Sequence, residues 1–380
     1  MVERRMPTQE SRDLIDLVRH IAATELSPRV DEYENESRFP REVLATLGKA
    51  GLLSLPFTEE YGGGGAPYVV YLQALEELAS AWLAVGIGVS VHTLSCFALA
   101  EYGTTEQKDR WLAEMLGGGL LGAYCLSEPQ SGSDAAALAT RADRDGDAYI
   151  VNGTKSWVTH GGVADFYSTM VRTSDDGARG ITALLVPSDT AGLSAPTAEH
   201  KMGANASRTA AVIFENARVD VDRRIGAEGE GFRIALTALD AGRLGIAACS
   251  VGLAQAALEC ATEYAKARRQ FGRPIADFQG VQFMLADMAT GLAAARALYL
   301  EAAARKDAGL DFGTQAAMAK LFASDMAMHV TTDAVQVLGG AGYVTDFPAE
   351  RYFREAKLLQ IVEGTNQIQR MVIGRSLSKG

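Results

Sequence analysis

The feature that most constrains the fold is a hydrophobic period that changes twice along the chain. Over residues 11–36 the apolar positions Leu14, Ile15, Leu17, Val18, Ile21 and Leu26 recur at helical spacing, and residues 41–51 and 68–107 continue in the same manner. Near Leu120 the pattern turns extended, with strands expected at 122–126, 166–171, 181–186 and 211–214. From Gly231 the helical period returns and holds to the end. Leu244, Ala247, Val251, Leu258, Ala261 and Ala265 form one apolar stripe, and Val281, Met284, Leu285, Met288, Leu292, Ala295 and Leu298 form another. Helices over 238–268, 278–308 and 314–338, joined by short connections and closed by a last helix over 367–377, suit an antiparallel four-helix bundle. The expected architecture is therefore an α+β multi-domain chain. An N-terminal helical domain (1–120) is followed by a middle β-barrel or sandwich domain (121–230) and a C-terminal helical bundle (231–380).

Local signals sharpen this outline. Ser11 is placed to cap the first helix. The run Tyr61-Gly62-Gly63-Gly64-Gly65-Ala66-Pro67 lacks a following Lys-Ser/Thr and a preceding strand, so it is expected to be a loop and not a phosphate cradle. Asn152-Gly153, between Tyr149-Ile150-Val151 and Trp157-Val158-Thr159, predicts a β-hairpin, and Asp145-Gly146 a second tight turn.

With 380 residues the chain exceeds one ordinary core, so two or three packed units are expected. The formal charge of −11 argues against a nucleic-acid partner, which would require clustered cations. Arg268, Arg269 and Arg273 form a local basic patch that this argument leaves open. Cys96, Cys125, Cys249 and Cys260 have neither paired nor metal-ligand spacing, which points to free thiols in a reducing compartment and to no metal site. Residues 1–8 are charged and lack the apolar core of a secretory signal, and no run of about 18 apolar residues is evident for a membrane span. A cytoplasmic location is expected.

Four places carry groups suited to chemistry. Glu363 stands alone among apolar and amide side chains in Ile361-Val362-Glu363-Gly364-Thr365-Asn366-Gln367-Ile368-Gln369-Arg370. Desolvation there would raise its pKa and make it a better base, while a helix cap formed by Glu363 or Thr365 explains the same residues equally well. Trp157 and Thr159 flank Val158, so on a strand they share one face and offer a flat indole beside a hydroxyl, although a strand tryptophan more often packs in a core. Asp240 and Arg243 are helix neighbours, able to form a local ion pair or to meet a ligand. Arg268 ends a helix, where a cation is also favoured by the dipole.

Taken together, Tyr124-Cys125-Leu126-Ser127-Glu128-Pro129, Ser131-Gly132-Ser133-Asp134, Asn152-Gly153-Thr154-Lys155, Arg268 to Gly272, Gln336-Val337-Leu338-Gly339-Gly340 and the Glu363 segment resemble the acyl-CoA dehydrogenase family in order and spacing. The resemblance runs from about residue 10 to the C-terminus. It leans to the short-chain, butyryl-type branch through Leu239-Asp240-Ala241-Gly242-Arg243-Leu244-Gly245-Ile246 and the position of the glutamate.

That resemblance implies FAD as cofactor and α,β-dehydrogenation of a short or branched acyl-CoA to a trans-2-enoyl-CoA, with Glu363 removing the α-proton. The developing enolate oxygen would be met by the glutamate's own N–H and a flavin hydroxyl. Trp157 and Thr159 would face the flavin ring, with Tyr124, Leu126, Ser127 and Ser133 beside it. Arg268, Phe271 and Gln279, with Gln336, Gly339 and Gly340, would reach the cofactor of a neighbouring subunit, completed by Thr365 and Gln367. Ser133, Asp240, Arg243 and Gly364 would contact substrate. A homotetramer reoxidised by an electron-transferring flavoprotein is implied. A carrier-protein thioester dehydrogenase, an oxidase using oxygen, or a non-catalytic flavin- or thioester-binding scaffold would share the fold. The chain departs from the family pattern at Val362, His160, Gln130, Ala204-Asn205 and Asp220. Val362 is expected to widen the acyl pocket, Gln130 to narrow its mouth, and His160 to be a hydrogen-bonded structural residue.

Overall fold

The computed structural model describes residues 4–378. Its N-terminal helices are α1 (Gln9–Ile21), α2 (Val30–Glu36), α3 (Arg41–Lys49), α4 (Tyr68–Ala81) and α5 (Leu83–Tyr102), followed by the short α6 (Thr105–Gln107) and α7 (Ala113–Leu116). The cap of α1 is Thr8 and not Ser11: the Thr8 hydroxyl accepts the N–H of Ser11, which lies already inside the helix. The expected continuous helix over 11–36 is instead broken by a π turn and a 3-10 turn, Ala22–Leu26 and Ser27–Arg29. Between α4 and α5, Trp82 is extended, and its indole N–H donates to Glu34 of α2 at 2.8 Å. The glycine run forms a loop, as its composition suggests.

The middle strands are β1 (Gly122–Cys125), β2 (Arg141–Asp145), β3 (Ala148–Thr159), β4 (Phe166–Arg172), β5 (Ile181–Pro187), β6 (Leu193–Ser194), β7 (Thr209–Asp220) and β8 (Arg224–Ile225), in the order β6-β7-β3-β2-β4-β5-β8, with β1 parallel to β4. The two halves of this sheet join through the single pair Arg141–Arg172 and fold over a shared core that includes Ala123, Tyr149, Val158, Tyr167, Leu184 and Phe214. Strands β4 and β5 are buried on both faces. Tyr167 and Val171 point into that core, while Phe166 and Met170 point toward α5 and the helical side. This double burial clamps the β unit against the helices.

The expected hairpin at Asn152-Gly153 does not form. β3 runs straight through it, antiparallel to β7 with register shifts at Val151/Gly153 and Lys155/Val158. Gly153 has φ +148° and packs on Thr140 so closely that a Cβ would lie 2.7 Å from the Thr140 Cα. The glycine therefore supplies a bulge, not a turn. The hairpin is the one at Asp145-Gly146, joining β2 to β3.

The C-terminal part contains α8 (Gly231–Ala267), the small hairpin of β9 (Arg269–Gln270) and β10 (Arg273–Pro274), α9 (Gln279–Asp307), α10 (Gly313–Leu338), α11 (Gly340–Tyr343), α12 (Ala349–Leu359) and α13 (Asn366–Leu377). α8 packs against α4, α9 and α10, and α10 also carries α12 and α13. The first apolar stripe is almost wholly buried, whereas the second is buried only at Met288, Leu292 and Ala295, and Leu298 remains exposed. A buried carboxylate ties the two helical parts together. Glu76 of α4 receives both Nε and Nη2 of Arg296 of α9, at 3.2 and 2.8 Å, and the Tyr299 hydroxyl.

The expectation of no membrane-length apolar run needs correction. Leu83–Tyr102, Gly231–Ala267 and Gln279–Asp307 are long and apolar enough to span a bilayer by composition alone. The apolar windows of the first two are 89% and 78% buried inside the protein, because both helices pack on several sides and are apolar all round.

Candidate active site

The loop between α12 and α13 holds two successive residues in the left-handed region, Glu363 at φ +52° and Gly364 at φ +89°. For a glutamate this costs about 1 to 2 kcal/mol, so the surroundings must hold it. They do so from below. The ammonium of Lys320 on α10 donates to the Gly364 carbonyl at 3.0 Å and to Oδ1 of Asn366 at 2.8 Å. Nε2 of Gln369 donates to the same carbonyl at 2.8 Å. Nδ2 of Asn366 donates to Asp325 at 2.7 Å, and Gln360 and Arg370 donate to that carboxylate as well. Lys320, Ser324, Asn366 and Gln369 are all buried. Sequence reasoning missed Lys320. Its signal was a lone lysine within the alanine-rich stretch Ala316-Ala317-Met318-Ala319-Lys320-Leu321-Phe322-Ala323.

Thr365 takes the helix cap, its Oγ1 accepting the N–H of Ile368 at 3.3 Å. The Glu363 carboxylate is not used in capping. Although the residue as a whole is only partly buried, both carboxylate oxygens are buried and have no hydrogen-bond partner among the described residues. They lie against the backbone of α8: a Cβ built on Gly242 would meet Oε2 at 2.0 Å. Burial pushes the Glu363 carboxyl up to about 7, against the opposing pull of Lys320 and Arg243. Tyr68 and Tyr71 of α4, Tyr124 of β1 and Cys249 of α8 all have raised pKa values, chiefly through burial, with the charge of Glu363 contributing.

Gly242, Ala241, Tyr68 and Tyr71 also line a cleft that extends past Ser90, Thr93 and Leu94 of α5. Tyr68 is fixed from α9, where the Asp307 carboxylate accepts the N–H groups of Tyr68 and Val69 at 2.6 and 3.0 Å. Arg243 is buried and pairs with Asp240, so the local ion pair is present, and its Nε has no partner among the described residues.

On the β side, Leu126 and Ser127 at the end of β1 lie against β3, the strand that carries Trp157 and Thr159. The Ser127 carbonyl accepts the N–H of Ser156 at 2.9 Å. Buried Lys155 donates to the Leu126 carbonyl at 3.2 Å and pairs with buried Glu128 at 2.7 Å, while Glu128 also accepts the N–H groups of Ala139 and Thr140. The second bulge of β3 puts Trp157 at φ +60° and leaves its indole 65% exposed, while Val158 beside it is buried. Ser133 lies exposed on the same loop, and Tyr124 reaches the Ala235 carbonyl of α8 at 3.5 Å. Gln130 donates to Glu128 at 2.7 Å and so braces the loop. His160 is buried with Nδ1 donating to the Gly122 carbonyl at 2.8 Å, and burial lowers its pKa to about 4, the behaviour of a structural residue. Val362 packs against the helical core.

Arg268, Phe271 and Gln279 do not join this cluster. They are exposed around the β9-β10 hairpin, with Phe271 93% exposed, and Gln336, Gly339 and Gly340 are exposed at the far end of α10. Arg268 is 26 residues beyond Gly242 on α8, or about 39 Å at 1.5 Å per residue. Gln367 is exposed on the first turn of α13. Among the described residues no group of three or more His, Cys, Asp or Glu side chains is arranged to hold a metal.

Models of the N-terminal, middle and C-terminal domains of acyl-CoA dehydrogenase match residues 8–119, 123–217 and 229–378. The chain is 45% identical over 375 residues to an acyl-CoA dehydrogenase of Bacillus subtilis, covering 98% of this chain and 99% of that protein. Among solved structures it resembles butyryl-CoA dehydrogenase from Megasphaera elsdenii at TM-score 0.96 and 39% identity, covering 99% and 100% of the two chains. It also resembles a chain of the structure reported as the electron transferring flavoprotein of Acidaminococcus fermentans, at TM-score 0.97 and 43% identity, covering 99% of each. The fold and these matches define a flavin-dependent oxidoreductase acting on CH–CH bonds. The chain belongs to the acyl-CoA dehydrogenase family.

Proposed function

We propose that this protein is an FAD-dependent acyl-CoA dehydrogenase that converts a short or branched acyl-CoA to its trans-2-enoyl thioester, with Glu363 as the base. The observation that carries this reading is the pair of buried, unpartnered carboxylate oxygens of Glu363 beside the cleft. A carboxylate held strained and without donors gains from taking a proton, and a pKa near 7 suits proton transfer at neutral pH. Buried Glu76 and Glu128 are instead surrounded by donors.

The β side fits a planar cofactor, since the strained bulge of β3 leaves the flat Trp157 indole exposed, two residues before Thr159 on the same strand. Trp157, Thr159, Tyr124, Leu126, Ser127 and Ser133 would hold the flavin. Arg268, Phe271, Gln279, Gln336, Gly339 and Gly340 of another copy, completed by Thr365 and Gln367, would hold its dinucleotide portion. Bound FAD supplies the acceptor for the β-hydrogen as hydride. Glu363 takes the α-proton on a carboxylate oxygen, its own N–H faces the developing enolate oxygen, and Gly364, Asp240 and Arg243 position the thioester. The separation of Arg268 from Gly242, together with exposed Phe271, Phe283 and Tyr343, supports a homo-oligomer, read as a tetramer. The likeness to the Acidaminococcus structure supports an electron-transferring flavoprotein as electron acceptor, and the location is read as cytoplasmic.

The test is anaerobic mixing of purified protein with acyl-CoAs from propionyl to palmitoyl, branched members included, while following the visible flavin band. Rapid bleaching by a short or branched class is expected, together with its loss in E363Q at unchanged flavin content. Bleaching of E363Q at the wild-type rate would remove Glu363 from the role of base. A yellow protein that no acyl-CoA bleaches would redirect the search to carrier-protein thioesters.

A further inference from the structure

Resting on the reading of Glu363 as base, we infer that Lys320 is a positioning residue for it, holding the left-handed loop in place and keeping the buried carboxylate in its charged form through its own positive charge. The geometry separates Lys320 from an ordinary core cation. Its ammonium is buried, yet it forms no ion pair with a carboxylate among the described residues, and its donors go to the Gly364 carbonyl and the Asn366 amide oxygen on either side of Thr365. The other nearby cation, Arg243, is paired with Asp240 and is partly neutralised by it.

The groups facing Glu363 make the sign clear. From α4 come the phenols Tyr68 and Tyr71, from β1 the phenol Tyr124, and from α8 the thiol Cys249 and the Arg243–Asp240 pair. From α10 come Lys320 and, behind it, Asp325, which is held by Arg370 of α13. The phenols and the thiol are neutral at working pH, so Lys320 and Arg243 are the charges that oppose desolvation of the carboxylate. Without Lys320, a larger fraction of Glu363 would carry a proton at neutral pH and could not accept another. The coupling is mutual: burial lowers Lys320 to about 8, and the Glu363 charge resists that drop.

The test compares K320Q, which keeps a neutral donor, with K320R, which keeps the charge. Two readouts are taken as a function of pH: the rate of anaerobic flavin reduction, and the carboxyl infrared band, with E363Q subtracted as a blank. In K320Q the acid limb of the rate and the infrared midpoint should both move up by about one pH unit, a roughly tenfold loss of rate below the limb. In K320R both should stay near the wild-type position. A K320Q rate that falls by the same factor at every pH, with an unmoved infrared midpoint, would overturn the electrostatic role. If K320Q does not accumulate as folded protein, K320M is measured by the same infrared titration and must show the same upward shift. Loss of reduction in E363Q alongside an unmoved K320Q midpoint sinks only this inference. Wild-type reduction in E363Q sinks the reading on which it rests.

Discussion

Replacing Gly242 with alanine tests whether Glu363, the proposed base, must lie against α8. A Cβ at this position would stand 2.0 Å from Oε2 and 2.9 Å from Cδ of Glu363, while ordinary contact begins near 3.4 Å. The carboxylate would therefore have to retreat by more than 1 Å. Misplacement of a reacting group by about 1 Å can cost on the order of 10²-fold in rate. The same substitution favours the helix by about 1 kcal/mol, because alanine loses less backbone entropy than glycine. G242A should therefore stay folded and retain flavin, with a thermal midpoint close to that of the wild type, while reducing flavin on the order of 10²-fold more slowly under anaerobic stopped flow. G374A is the control: its Cβ would meet nothing within 4 Å, and its rate should be that of the wild type. A wild-type rate in G242A would refute the reasoning, since the carboxylate would not need the place the structure gives it.

Other outcomes follow from the buried charges. The Glu363 carboxyl is raised to about 7 in the folded protein, so the native state holds a proton that the unfolded chain releases, and stability declines as pH rises from the ordinary glutamate value to about 7. E363Q should remove that decline and be on the order of 1 to 3 kcal/mol more stable than wild type at pH 8 in denaturant unfolding; a less stable variant would contradict the assignment. Glu355 is raised to about 8 by burial and by nearby Glu34. By the same sign, wild-type stability should be lost progressively up to about pH 8, and E355Q should flatten the profile of thermal midpoint against pH. R296M would leave the Glu76 carboxylate without its bidentate partner and should cost about 3 to 5 kcal/mol by urea titration; a loss below about 1 kcal/mol would mean that Tyr299 and Arg4, which also pairs with Glu76 at 3.1 Å, suffice.

What could be read from the sequence was whatever depends on neighbours in the chain. The double change of period marked the helical, β and helical blocks, because burial on one face of a helix or strand imposes its own repeat. The run around Glu363 marked it as the candidate base, because a lone carboxylate among apolar residues is costly wherever the chain places it. Only the tertiary structure decided how these local facts were used. Asn152-Gly153 has the chemistry of a turn, yet it became a bulge because β7 pairs along the whole of β3 and Thr140 presses against Gly153. Glu363 or Thr365 could have capped the last helix; the hydroxyl of Thr365 takes the cap, while the Glu363 carboxylate lies against Gly242 without a hydrogen-bond partner among the described residues. Lys320 lies 43 positions before Glu363 and Gly242 lies 121 before it. Contacts at such separations leave no periodic trace, because they arise only when α8, α10 and the last loop close on one another.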